Sequence, residues 1–275
     1  MTDFPDSFAL PVGPLTLEVR HLHAPDPGAA TLVFLHEGLG SVAMWRQWPL
    51  QLAQSLGCGA LVYSREGYGC SGAHLDVRAE PRRVDGRHAG RWLPDYMHRE
   101  ALQVLPGLLQ ALHIGRPVLL GHSDGGTIAL LHAAHAAVAA CIVMAPHVMV
   151  EEISITAIEA ARSAFLQGGL RARLAPFHAD VDGAFWQWND VWLSEAFRTF
   201  DIRPDLHRIS APLLAIQGHD DPYGSMAQID EIARHTPHTR LLKLPACGHS
   251  PHRDQPEAVG RAIADFLREA DLAGT

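Results

Sequence analysis

Short runs of apolar, β-prone residues alternate with stretches of helical spacing along most of the chain. Residues 15–21 and 31–35 read as strands, joined by the turn Pro25-Asp26-Pro27-Gly28. Residues 44–56 carry helical spacing that stops at Gly57, and 60–64 form the next strand. A glycine-rich loop follows over 65–72, then a polar stretch over 73–94 that predicts a surface excursion near the site or a mobile segment. Residues 95–112 predict a helix that Pro106 should kink or break. Strands are predicted at 118–120, 141–145, 213–217 and 239–244, and helices at 127–137, 226–235 and 257–270. Between 147 and 207 the spacing is helical throughout, with no convincing strand.

Strands alternating with helices imply an α/β fold, a mostly parallel sheet flanked by helices on both faces. A helical run inserted after one strand implies a cap over the C-terminal edge of the strands, where ligands bind in open α/β sheets. The expected division is a core of residues 1–146 and 208–275 and a helical cap over 147–207.

Composition narrows the function. The chain has 275 residues and a formal net charge of −8, so it carries no basic footprint for nucleic acid. No apolar run is long enough to span a bilayer, and the N-terminus, with Asp3, Pro5 and Asp6, lacks the pattern of a signal peptide. A cytoplasmic protein without a membrane partner is expected. The four cysteines, Cys58, Cys70, Cys141 and Cys247, show no metal or disulfide spacing. The 18 histidines are mostly scattered; pairs such as His132/His135 lack companion Cys or carboxylate clusters, so no metal is expected.

The chemistry centres on Val118-Leu119-Leu120-Gly121-His122-Ser123-Asp124-Gly125-Gly126. An apolar run ends in Gly-x-Ser-x-Gly and a helix follows, which is the layout of a nucleophile elbow with Ser123 at its apex. A serine hydroxyl is a weak nucleophile and needs a base, which in turn needs an orienting carboxylate. In the chain order Ser, acid, His, the acid falls in Gly218-His219-Asp220-Asp221-Pro222, where Asp221 is preferred and Asp220 is the alternate. The base falls in Ala246-Cys247-Gly248-His249-Ser250-Pro251-His252, with His249 preferred over His252. The oxyanion donors are expected at the backbone N–H of Asp124 and in the loop His36-Glu37-Gly38-Leu39-Gly40-Ser41, at Gly38. Further pocket candidates are Glu37, His122 and the insert tryptophans Trp186, Trp188 and Trp192.

On these residues the chain resembles the α/β-hydrolase superfamily from about residue 15 to 267. The markers are the 36–41 loop, Gly67-Tyr68-Gly69-Cys70-Ser71, the elbow, and the Asp221 and Gly248-His249 pair. The resemblance implies an eight-stranded, mostly parallel sheet, an inserted helical cap, no cofactor, and hydrolysis of an ester or related bond. Such a first loop usually reads His-Gly-x-x-Gly, but here Glu37 stands at the first glycine. Its carboxylate is expected to point away from the oxyanion, pairing with an arginine such as Arg65, or else to select a cationic or hydroxylated substrate. Ser123 argues against dehalogenases and epoxide hydrolases, which use aspartate. The expected reaction is cleavage of a carboxylic ester, thioester or lactone of a small apolar or aromatic acyl substrate. The alternatives are a carbon–carbon hydrolase, an acyltransferase or perhydrolase on the same triad, and a non-catalytic small-molecule receptor. The expected partner is a small molecule, and a homodimer is left open.

Overall fold

The structure, a computed structural model, describes residues 6–26 and 28–272. Five buried apolar runs set its centre: β3 (Thr31–Leu35), β4 (Gly59–Ser64), β7 (Val118–His122), β8 (Ala140–Met144) and β9 (Leu213–Gly218). They are joined by β1 (Phe8–Val12), β2 (Leu15–Leu22) and β10 (Arg240–Leu244) in one eight-stranded sheet of order β1-β2-β4-β3-β7-β8-β9-β10. The β1–β2 and β2–β4 pairs are antiparallel and all others parallel. A separate hairpin pairs β5 (Arg82–Val84) with β6 (Arg87–Ala89).

Side chains alternate between the faces of each strand, so consecutive residues enter different cores. Val33 and Leu35, Leu61, Leu119, Val143 and Ala215 pack into one core. Leu32 and Phe34, Val62, Leu120, Ile142 and Ile216 pack into the other. Burial on both faces is why these strands read as continuous apolar runs rather than as alternating ones.

Four local expectations change. β1 was not expected; it is an exposed edge strand whose Pro11 is tolerated because an edge leaves N–H groups unpaired. The helix expected over 44–56 is split into a 3₁₀ turn, Val42–Trp45, and an α-helix, Trp48–Ser55. Arg46 divides them at φ 54°, a left-handed conformation that ends a helix. At Pro106 the predicted helix continues but changes type: Tyr96–Arg99 passes through a π-helical segment, Glu100–Val104, into Leu105–Ala111. The wider turn absorbs the missing proline N–H just before the ring. The 73–94 excursion is ordered around the β5–β6 hairpin, whose turn residues Asp85 and Gly86 both have positive φ.

Between β8 and β9 the elements are helical: Glu152–Leu166, Gly169–Leu174 and Val181–Trp192, with shorter helical turns after each of the last two. The third helix is fastened to the core and the excursion. Trp92 Nε1 donates to Gln187 Oε1 (3.1 Å), Gln187 Nε2 donates to Glu66 O (3.3 Å), and Arg78 Nε donates to Asp190 Oδ2 (2.8 Å). Among the described residues, no helix is long and apolar enough to cross a membrane.

The turn from β7 into helix Asp124–His135 leaves no room for side chains. A Cβ on Gly121 would lie 2.2 Å from Gly125 O, and one on Gly125 would lie 2.1 Å from Leu35 O. Gly125→Ala should therefore destabilise the protein by about 1–3 kcal/mol, as overpacking does. Urea unfolding checks it, and an unchanged midpoint would refute the close-approach argument.

Candidate active site

Ser123 sits at the apex of the β7 turn with φ 54° and ψ −120°, and its N–H is held by Met144 O of the neighbouring strand at 2.9 Å. A non-glycine residue in this region is strained, and the surrounding close contacts hold it there. Ser123 is 5% exposed and opens onto a cavity of about 130 Å³ at the C-terminal edge of the sheet.

His249, on the loop after β10, opens onto the same cavity. Its Nδ1 lies 2.8 Å and 2.9 Å from the two carboxylate oxygens of Asp221, on the loop after β9. A carboxylate only accepts, so Nδ1 carries a proton, and in the neutral ring that tautomer leaves the Nε2 lone pair free. Gln217 Nε2 and the Tyr223 N–H, each at 2.8 Å, also donate to Asp221 and fix its plane. Burial pushes the Asp221 carboxyl up, but the hydrogen bond and charge of His249, with the Tyr223 N–H, hold it below its ordinary value. Asp220, the alternate, is exposed and makes no such contact with His249.

The two loops expected to bear the oxyanion donors meet at this cavity, which Gly38 and Asp124 both line. The indole of Trp188 lies against Gly38, with Nε1 2.1 Å from where a Cβ would stand, so only glycine fits. Arg65, 4% exposed at the end of β4, connects the loops. Its Nη2 donates to Glu37 O (2.9 Å), its Nη1 lies 3.5 Å from Asp124 Oδ2, and its backbone N–H donates to His36 Nε2 (3.0 Å). Burial pulls its pKa down, but Tyr68 and Asp124 outweigh that and hold the guanidinium charged. Tyr96 OH donates to the same Asp124 oxygen (2.6 Å) and accepts from Trp192 Nε1 (2.9 Å) of the inserted helices.

The remaining sequence candidates separate. Glu37 lines the cavity, but its side chain does not pair with Arg65, which takes only its carbonyl. Its carboxylate instead faces His122 Nδ1 (3.4 Å) and Arg253 (3.8 Å). Burial pushes this carboxyl up, but the hydrogen bond and charge of His122, then Arg253, hold it well below the usual range. His122 also lines the cavity, 1% exposed, with Nε2 donating to His249 O at 2.6 Å; it braces the loop that carries His249. Trp188 and Trp192 line the cavity, four residues apart on one helix face. Trp186 does not. Two residues from Trp188, it faces the other side, with the guanidinium groups of Arg78 (4.0 Å) and Arg162 (5.4 Å) against its ring. Cys247 is buried in the core.

Sequence reasoning missed His147, Tyr223 and Ile158, which also line the cavity. His147 stands just beyond β8 at the sheet's ligand edge, a position that flags it once β8 is placed. Its ring lies 5.9 Å from that of His249 and 5.0 Å from that of Trp192, centroid to centroid. Burial, with a smaller repulsion from His249, pulls it down to about 3, so it stays neutral.

Two variants test this arrangement. Arg65→Met should cost about 3–5 kcal/mol of stability, because it leaves the Asp124 carboxylate buried without its cation. Adding Asp124→Asn should restore part of the loss, and a double-mutant cycle by urea unfolding reads the coupling. Asp221 contributes stability in full above the ordinary carboxylate value of about 3.9, and loses it as pH falls through its depressed folded value. The stability gap between wild type and Asp221→Asn should thus narrow as pH drops from neutral into the acid range, read from urea midpoints. A gap independent of pH would refute it.

Comparison with known proteins bears on the family and the fold. A model described as "Alpha/beta hydrolase family" matches residues 32–262. RutD of Pseudomonas savastanoi pv. phaseolicola, which bears a carbamate hydrolase name, is 27% identical over 90% of this chain and 98% of its own length. A pimeloyl-acyl-carrier-protein methyl ester esterase of Nitrosomonas europaea is 37% identical, but over only 22% of this chain and 24% of its own length. In structure the chain is similar to the enol-lactonase from Burkholderia xenovorans LB400. That match has a TM-score of 0.73 and 19% identity, covering 94% of this chain and 99% of that one.

Proposed function

Since the chain belongs to the alpha/beta hydrolase family and is an enzyme of it, we propose that it is a serine hydrolase cleaving a carboxylic ester, thioester or lactone of a small apolar or aromatic acyl group. One observation carries the reading: His249, with Nδ1 bound to Asp221, opens onto the same small cavity as the strained elbow Ser123.

In this reading His249 Nε2 takes the Ser123 proton as Oγ attacks the substrate carbonyl. Negative charge develops on the carbonyl oxygen, and the backbone N–H groups of Gly38 and Asp124 receive it. The intermediate collapses, His249 protonates the departing alcohol or thiol, and Ser123 is left acylated. Water then attacks the acyl-enzyme with His249 again as base, releasing the acid and restoring the serine. Asp221 stabilises the imidazolium that forms twice in each cycle.

The cavity supports the substrate class. Its volume of about 130 Å³ is small beside drug-sized pockets. Ile158, Leu39, Trp188 and Trp192 supply apolar wall, and the neutral ring of His147 adds no charge. The names of the relatives, spanning ester, carbamate and lactone, fit acyl chemistry with varied leaving groups. The three-part arrangement behind Ser123 favours turnover over a receptor.

Short-chain p-nitrophenyl esters test the proposal. Ser123→Ala should lower kcat by about 10³-fold or more, and Asp221→Asn by about 10⁴-fold, with little change in KM. A fluorophosphonate should label the wild type at Ser123 alone, read by peptide mass spectrometry. Undiminished turnover in Ser123→Ala would overturn the mechanism.

A further inference from the structure

A groove of about 790 Å³ runs along the seam between the inserted helices and the core, and the reaction above does not use it. Its floor is aromatic. Trp45 and Trp48 stack at 5.7 Å with 13° between their planes, and the His252 ring lies 5.0 and 5.1 Å from them. Its charge is all of one sign. Arg46 and Arg253 come from the core and Arg173 from the inserted helix Gly169–Leu174, and no carboxylate lines the groove. In a chain of net charge −8 such a patch is not a sample of the average surface. Arg253 is partly engaged, at 3.0 Å from Met44 O and 3.8 Å from Glu37. Neither Arg46 nor Arg173 has an ion-pair partner among the described residues.

Two further features point to a ligand. Arg46 holds φ 54° and ψ −131°, a conformation close to that of the nucleophile and costly for a residue with a side chain. It breaks what would otherwise be one helix and leaves its exposed side chain at the groove's edge. On the floor, His252 is 5% exposed, and its Nδ1 is buried without a hydrogen-bond partner.

We propose that this groove is a second binding site, which takes an anionic amphiphile: a phosphate or carboxylate head on an aromatic or acyl body. Arginine pairs planar oxyanions through two parallel N–H donors, and the half-buried Trp48, backed by Trp45, and Phe177 offer flat apolar area for the body. The site is separate from the catalytic cavity. The His122 and His252 rings, 5.1 Å apart, and the Glu37–Arg253 pair stand between them. A ligand spanning Arg46 and Arg173 ties the insert to the core. The site does not depend on the ester reading, and its test does not use turnover.

Calorimetric titration of the Ser123→Ala full-length protein with 1-naphthyl phosphate and with 1-naphthoate tests the site. 1-Naphthol and inorganic phosphate serve as the single-feature controls. Each anion should bind about tenfold or more tightly than either control. Arg46→Ala with Arg173→Ala should weaken both anions about tenfold. Binding should persist in wild type whose Ser123 carries a covalent fluorophosphonate. Binding of only one of the two anions fixes the head group and still supports the site. Equal affinity for naphthol, insensitivity to the arginine pair, loss of binding on labelling Ser123, or no heat from either anion would each overturn it. Should the double variant fail to fold by circular dichroism, Arg173→Glu alone carries the same expectation.

Discussion

The buried guanidinium of Arg65 is the interaction on which the site's geometry rests. It stands at the end of β4, yet it joins a loop from β3 to a turn from β7, through the Glu37 carbonyl and the Asp124 carboxylate. Those two segments bear the backbone donors that the proposed reaction requires, and they come from separate strands. Sheet hydrogen bonding aligns the strands but not the loops beyond them. One charge shared between the loops sets their spacing. The arrangement is also costly to disturb, because each partner is buried and loses its opposite charge when the other is removed.

Around this lock the charges are arranged with some economy. Asp221 and His249 form a closely hydrogen-bonded acid–imidazole pair at the cavity. The neighbouring rings of His147 and His252 are held neutral by burial, at about 3 and about 2. Cationic rings so near His249 would oppose the imidazolium that the mechanism forms there. Glu37 remains an anion, but the His122 ring and Arg253 face its carboxylate. An acidic residue in a loop that normally has glycine is thus accommodated by pairing it rather than by turning it away.

Much of this was legible in the chain, and the reasons differ by element. β3, β4, β7, β8 and β9 announce themselves because strands buried on both faces must be apolar throughout. β1 is silent because an edge strand of mixed polarity carries no such signal. The elbow was readable from two glycines at backbone-to-backbone contacts, Gly121 against Gly125 and Gly125 against Leu35 of β3. Arg46 was not, since nothing in an arginine side chain signals a left-handed backbone. The preference for Asp221 over Asp220 came from spacing, and the coordinates add what spacing lacks, namely which carboxylate faces inward. The grouping of Trp186 with Trp188 and Trp192 failed on helical phase, which the sequence already contained. Arg65 entered the sequence reading only as a partner for Glu37, because its role depends on three loops meeting in space.

The fastening of helix Val181–Trp192 has a consequence of its own. Gln187 and Asp190 are bonded to the excursion and the β4 loop, and Trp192 to Tyr96, so the helix bearing two of the cavity's tryptophans is clamped along its length. A wall held in this way behaves as a mould rather than a door. Molecules are then admitted or refused by the shape already present, and the clamp extends to Glu152–Leu166, because Asn189 Nδ2 donates to the carbonyl of the cavity's Ile158 at 3.2 Å.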